Sequence, residues 1–212
     1  MNVLGIYREE IFSPGKVEAD KEIMDKALME LGKLGLDFKA IHPESLSQNF
    51  EADIVLNMAQ SEEVLSQLQL WENNGMKIIN SVRSIRNCYR KKMISILKEN
   101  QLTIPKSWVY NLEMIEREMF EIYSLGWIGS YWLKRGDFHA IDSKDVIKVN
   151  SFEEMEKGIA YFREKGIDEI VIQEHVDGDV IKFYGVGEEY IRAFILPDNK
   201  EISLRQNIKD MI

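Results

Sequence analysis

Val171-Ile172-Gln173-Glu174-His175-Val176-Asp177-Gly178-Asp179 is a β-rich run that closes on Asp-Gly-Asp, and the elements leading into it decide the fold. Upstream, the apolar run Tyr131-Trp132-Leu133 ends on Lys134. Further back, Lys92 sits on a predicted helix and Pro105 marks a new segment, because the residue before a proline is pushed away from helical dihedrals. Between these landmarks the patterning predicts strand 107–110, helix 111–125, strand 130–135, strand 146–149, helix 151–165 and strand 169–174. Ser151 with Glu154 three residues on fits a capping box. Downstream, 180–187 and 190–196 read as a hairpin around Gly187-Glu188-Glu189.

The preceding part of the chain alternates strand-like and helix-like runs. Val3-Leu4-Gly5-Ile6-Tyr7 reads as a buried strand, and Ile23, Ala27, Leu28, Leu31 and Leu34 recur at helical spacing before Gly35, a C-terminal cap. Phe38–Ile41, Ala52–Asn57 and Met76–Asn80 are further strands, with a helix opening at Ser61-Glu62-Glu63. Such alternation with short connections predicts a parallel sheet covered by helices. The boundary between the two patterns falls at 101–106, which divides the chain into 1–103 and 104–212.

The bulk numbers set wide bounds. The 212 residues are 45% hydrophobic and 30% charged, as in ordinary globular proteins. A net charge of −9 argues against a general nucleic-acid binder, which needs a basic face. Apolar runs are strand-sized, short of the roughly 20 residues a membrane span needs. The first residues show no secretory signal. One cysteine, Cys88, makes no internal disulfide and points to the cytoplasm. Its expected place is half-buried on a helix.

Against that acidic background, the stretch from Ser81 to Lys98 is free of acids and holds Arg83, Arg86, Arg90, Lys91, Lys92 and Lys98. Read as one helix over 81–100, it sets Arg83, Arg86 and Arg90 on one face, an arrangement that favours a phosphate. A solvated helix face is the plainer reading of most basic helices. The order of the later elements is what gives Lys92 its interest.

Together these residues resemble the nucleotide site of the ATP-grasp superfamily, over roughly residues 1–196. The implied fold is α/β, with a Rossmann-like N-terminal (pre-ATP-grasp) domain followed by an incomplete α+β ATP-grasp domain. The resemblance implies that Lys92 and Lys134 hold phosphates and that backbone groups of the hinge Gln173-Glu174-His175-Val176 read the adenine edge. It implies that Asp179 holds the ribose hydroxyls, that Lys182 matches a cation found there in amino-acid ligases, and that Arg192 meets the γ-phosphate or acyl phosphate. The residue types suit these roles: lysine ammoniums are compact donors to phosphate, and a carboxylate accepts from two neighbouring hydroxyls. The implied activity is an ATP-dependent carboxylate–amine ligase working through an acyl phosphate on a small carboxylate substrate. The first loop, Arg8 to Lys16, is the expected substrate contact.

The chain departs from the family pattern in three places. Lys91 stands where an acid often precedes the first lysine. The loop after Lys134, 135–143, has one glycine where many members have a glycine-rich flap, leaving His139, Arg135 and Ser143 to take over part of the phosphate contact. The Glu-x-Asn element that holds Mg²⁺ in the family is not found among Glu188, Glu189, Asp198, Glu201 and Asp210. A truncated chain, completion by a second subunit, and a nucleotide-binding or sensing module without turnover are all compatible with that, and a homo-oligomer is left open. No P-loop, dinucleotide fingerprint or nucleophile elbow occurs. The histidines His42, His139 and His175 show no metal-ligand spacing with one another or with Cys88.

Overall fold

The computed structural model describes residues 1–47, 51–115, 129–187, 190–198 and 200–202. The chain divides into two compact units, Met1–Glu174 and His175–Ile212.

The first unit opens with β1 (Asn2–Ile6), α1 (Val17–Lys33), β2 (Asp37–Ile41), β3 (Ile54–Asn57), α2 (Glu62–Asn73) and β4 (Lys77–Ile79). The strands form a parallel sheet in the order β2-β1-β3-β4, as the alternation predicts. Period-two alternation sorts β1 between two cores. Val3 packs with Met24 and Leu28 of α1, whereas Leu4 and Ile6 pack with Val64, Leu65 and Leu68 of α2. Gly5 lets α1 approach, because a Cβ there would stand 2.7 Å from Leu28 Cδ1. Gly35, at φ +81, ends the α1 turn in the left-handed region as expected of a cap. Ser61 caps α2 by accepting from the Val64 amide.

The basic stretch is two helices rather than one: α3 (Val82–Asn87) and α4 (Arg90–Glu99). Tyr89 breaks them by adopting extended dihedrals, φ −63 and ψ 132, while the Cys88 amide tightens back onto Ile85 O. The break separates Arg86 from Arg90, so the three arginines share no single face. Arg86 is bound to Glu62 and Gln69 of α2, and Cys88 lies exposed at the junction rather than half-buried.

A second sheet completes this unit, in the order β5-β8-β6-β7 and antiparallel throughout. Its strands are β5 (Ser107–Asn111), β6 (Tyr131–Arg135), β7 (Val146–Val149) and β8 (Glu169–Glu174), with α5 (Phe152–Glu164) between the last two. One face carries Tyr110, Leu133, Val149, Ile170 and Ile172 against Met155, Ile159 and Phe162 of α5. The other face presents Ser107, Trp132, Lys134 and Gln173. The predicted helix over 111–125 falls mostly on 116–128, outside the described residues.

At the start of α5 the Ser151 Oγ accepts from the Glu154 amide, but Glu154 reaches one residue further back than a capping box requires, to the Asn150 amide at 2.8 Å. Ser151→Ala should cost about 1 kcal/mol of stability, the usual worth of an N-cap. Urea unfolding followed by circular dichroism measures it, and a loss below a few tenths would mean that Glu154 carries the cap alone.

The second unit is the predicted hairpin, β9 (Val180–Val186) with β10 (Tyr190–Leu196), extended by β11 (Lys200–Ile202), which the sequence reading lacks. Of the acids named above, Glu188, Glu189 and Asp210 lie outside the described residues.

Candidate functional site

The open face of the second sheet carries a short polar chain. Lys134 on β6 lies opposite Val171, which puts Gln173 on the same face at the diagonal position. Lys134 Nζ donates to Gln173 Oε1 at 2.6 Å, and Gln173 Nε2 donates to Ser107 Oγ at 2.8 Å. Lys98 of α4 closes the row by donating to the Ser107 carbonyl at 2.6 Å. The Lys134 ammonium thus rests on a neutral amide oxygen. Burial, and then the charge of Arg90, pull its pKa below the ordinary 10.5.

Arg90 opens α4, and its guanidinium donates to the Arg135 carbonyl. The next amide, Lys91 N, donates to Gly136 O at 3.0 Å, and the Lys91 side chain pairs with Glu169. These bonds pin the start of α4 to the end of β6. In the sequence Arg90 stands out only as one of three arginines grouped to favour a phosphate; its place against β6 is signalled by the spacing Arg90–Ile94–Lys98, one helical face whose middle member is apolar. Lys92, the residue singled out instead, is exposed on α4 and has no hydrogen bond or ion pair among the described residues.

The loop after Lys134 is built from its own side chains. Arg135 holds Asp137 at 2.7 Å and Asp145 at 3.1 Å, and Asp145 also accepts from the Ile141 and Asp142 amides. Ser143 turns to Asp142. Arg135 and Ser143, expected to touch phosphate, are therefore engaged within the loop. The glycine of the loop, Gly136, lies against β8, where a Cβ would meet Glu169 O at 2.9 Å. His139 reaches the N-terminal loop, with Nε2 3.5 Å from Phe12 O and its ring 5.9 Å from the Phe12 ring. Burial depresses its pKa, the Phe12 carbonyl opposes this, and Arg8, Arg90 and Arg135 add to the depression, which favours the neutral imidazole.

Two cavities of this unit share Arg8. One, of about 450 Å³, is lined by Arg8, Gln60, Asn80, Ser84, Tyr89 and His139, with no acid among its lining residues. The other, of about 650 Å³, is acidic, with Glu9, Glu10, Glu44 and Glu63 around Arg8 and His42. The Arg8 guanidinium is paired with Asp20 at 3.1 Å. Among the described residues no group of three or more His, Cys, Asp or Glu side chains is placed to hold a metal ion, so no ligand set for Mg²⁺ is assigned. Nor is any helix among them long and apolar enough to cross a membrane.

Gln173 and Glu174 end β8 in the first unit, with the Glu174 amide donating to Lys106 O at 2.9 Å. Val176, Asp179, Lys182 and Arg192 belong to the second. There Val176 and Asp179 are exposed, on either side of Gly178 at φ +146. Lys182 Nζ lies 4.9 Å from the Tyr184 ring centroid. Arg192 is held in a bidentate pair with Glu201, at 2.6 and 2.5 Å, which raises its pKa. Its fork is thereby engaged by a carboxylate.

No family model matches this sequence, and no curated protein matches it. Solved structures do. The chain superimposes on the D-alanine–D-alanine ligase of Bacillus anthracis complexed with ATP at a TM-score of 0.74 and 14% identity, covering 100% of this chain and 75% of that one. For the VanG D-Ala:D-Ser ligase of Enterococcus faecalis the TM-score is 0.70 at 14% identity, with 92% and 68% covered. For a RimK domain ATP-grasp protein of Sphaerobacter thermophilus it is 0.57 at 12% identity, with 86% and 68% covered. The first of these likenesses covers the whole chain and so takes in the parallel sheet, the open-faced sheet and the hairpin. The chain has the ATP-grasp fold.

Proposed function

We propose that this protein binds ATP on the open face of its second sheet and acts as an ATP-dependent carboxylate–amine ligase, of the kind that works through an acyl phosphate. The observation that carries the reading is the bond from Lys134 to Gln173. A half-buried lysine whose hydrogen bond goes to a neutral amide, not a carboxylate, has no counter-charge there to compete with an incoming phosphate. The strand holding Gln173 runs out into the hinge, whose extended backbone suits a purine edge. When bound, ATP would supply the phosphoryl group, and Lys134 would hold its phosphates.

The likeness to a ligase solved with ATP supports this reading. The roles of Val176, Asp179, Lys182 and Arg192, all in the second unit, are proposed on the family resemblance alone. For the substrate we propose the cavity beside Arg8 and His139, whose cationic and neutral polar lining suits a small carboxylate. Incubation with ATP, Mg²⁺, a panel of carboxylic acids and hydroxylamine tests the activity. A ligase releases ADP only when its carboxylate is present and yields the hydroxamate. Tight ATP binding without carboxylate-dependent ADP release would favour a nucleotide-binding module.

A further inference from the structure

Helix α4 carries cations on two different sides. At about 100° per residue, Arg90, Ile94 and Lys98 fall within about 80° of one another, whereas Lys92 stands about 200° from Arg90. The contacts agree with this wheel. Ile94 is buried at 3% exposure, Lys98 donates to the Ser107 carbonyl, and Arg90 donates to the Arg135 carbonyl next to Lys134. Lys92 is exposed on the far side.

Arg90 therefore faces the strand that carries Lys134. Burial withdraws water from both groups and lowers the pKa of each, and the Arg90 charge adds to the lowering at Lys134. The acids whose charge reaches Arg90, Asp145 and Asp137, are both paired with Arg135. Two half-buried cations on facing elements, neither paired with a carboxylate among the described residues, favour an anion between them. A guanidinium with one nitrogen on a carbonyl still has N–H groups to offer a phosphate oxygen.

We propose that Arg90, rather than Lys92, is the residue of α4 that joins Lys134 in binding the phosphates of a nucleotide. This rests on the nucleotide-binding reading above. It departs from the lysine that the family resemblance implies at this helix, and two residues of sequence turn the side chain to the opposite face.

The test is calorimetric titration of ATP into the whole chain, its Arg90→Gln variant and its Lys92→Gln variant. Glutamine at position 90 keeps a donor for the Arg135 carbonyl while removing the charge. Arg90→Gln should weaken ATP binding about tenfold or more, and Lys92→Gln less than about threefold. Arg90→Met, which removes the charge and the donors alike, should show the same loss of about tenfold or more, and it serves as the readout if the glutamine variant fails to fold. A Lys92→Gln loss equal to or larger than that of Arg90→Gln would overturn the assignment, as would an unchanged Arg90→Gln. Failure of the unaltered chain to bind ATP would instead remove the nucleotide reading itself.

Discussion

Replacing Lys134 with alanine is expected to weaken ATP binding about tenfold or more, the usual consequence of deleting a charge-assisted contact to phosphate. The substitution should cost the fold little, since the Lys134 side chain lies on the open face and its one hydrogen bond among the described residues goes to Gln173. Calorimetry on the variant, with its thermal unfolding recorded beside it, separates the two effects. The same lysine makes affinity depend on pH. The ammonium is the binding form, and its pKa in the free protein lies below 10.5. Affinity should therefore fall as pH rises, at lower pH than for a lysine in water. Phosphate ionisation adds nothing there, because with a second pKa of about 6 it is complete above about pH 8. An affinity flat up to pH 10.5 would contradict the desolvated position of Lys134.

Asp145→Ala should destabilise the first unit by about 3 kcal/mol. The carboxylate side chain is 4% exposed and accepts from Arg135 and from two loop amides, Ile141 and Asp142. Its removal leaves two part-buried loop amides without their acceptor and a guanidinium paired with Asp137 alone. Such losses exceed those of surface ion pairs, whose median is about 0–1 kcal/mol. Asp142→Ala is the internal comparison, since Asp142 is exposed and its side chain serves as the N-cap of the short turn 143–145, accepting from the Lys144 amide and from Ser143. Denaturant unfolding of the two variants should rank Asp145 well above Asp142. Equal small losses would mean that the loop is held by its contacts with Phe12 and Tyr89 instead.

The elements with clean periodicity were legible in the sequence. Val3 to Tyr7 and Glu169 to Glu174 fall within a residue of where their patterns put them, and the α1 repeat ends where Gly35 predicts, although the helix begins three residues before the expected Asp20, at Val17. The break at Cys88–Tyr89 was not legible. Nothing in the residues from Ser81 to Asn100 is a helix breaker, and the interruption comes from tertiary contacts, with Tyr89 Oη donating to Gln60 O and the Tyr89 ring against Phe138. For the same reason the side of α4 that Lys92 takes was not legible. Order along the chain locates a helix, but only its buried residues say which side faces the sheet. The loop after Lys134 showed its charges plainly, yet the partners of Arg135 lie two and ten positions away, and nothing in their spacing ranks them above phosphate. Gln173 was named as a hinge residue, while its side-chain bond to Lys134 depends on a β6–β8 register that only the folded sheet supplies.

The most direct measurement of the central claim is isothermal titration of ATP into the unaltered 212-residue chain, with adenosine and inorganic tripolyphosphate as comparisons. The account predicts saturable one-to-one binding of ATP, with each fragment binding more weakly because it reaches only the hinge or only the cations. An absence of ATP binding would contradict it, leaving Lys134 and Arg90 as charges on an ATP-grasp fold that holds no nucleotide.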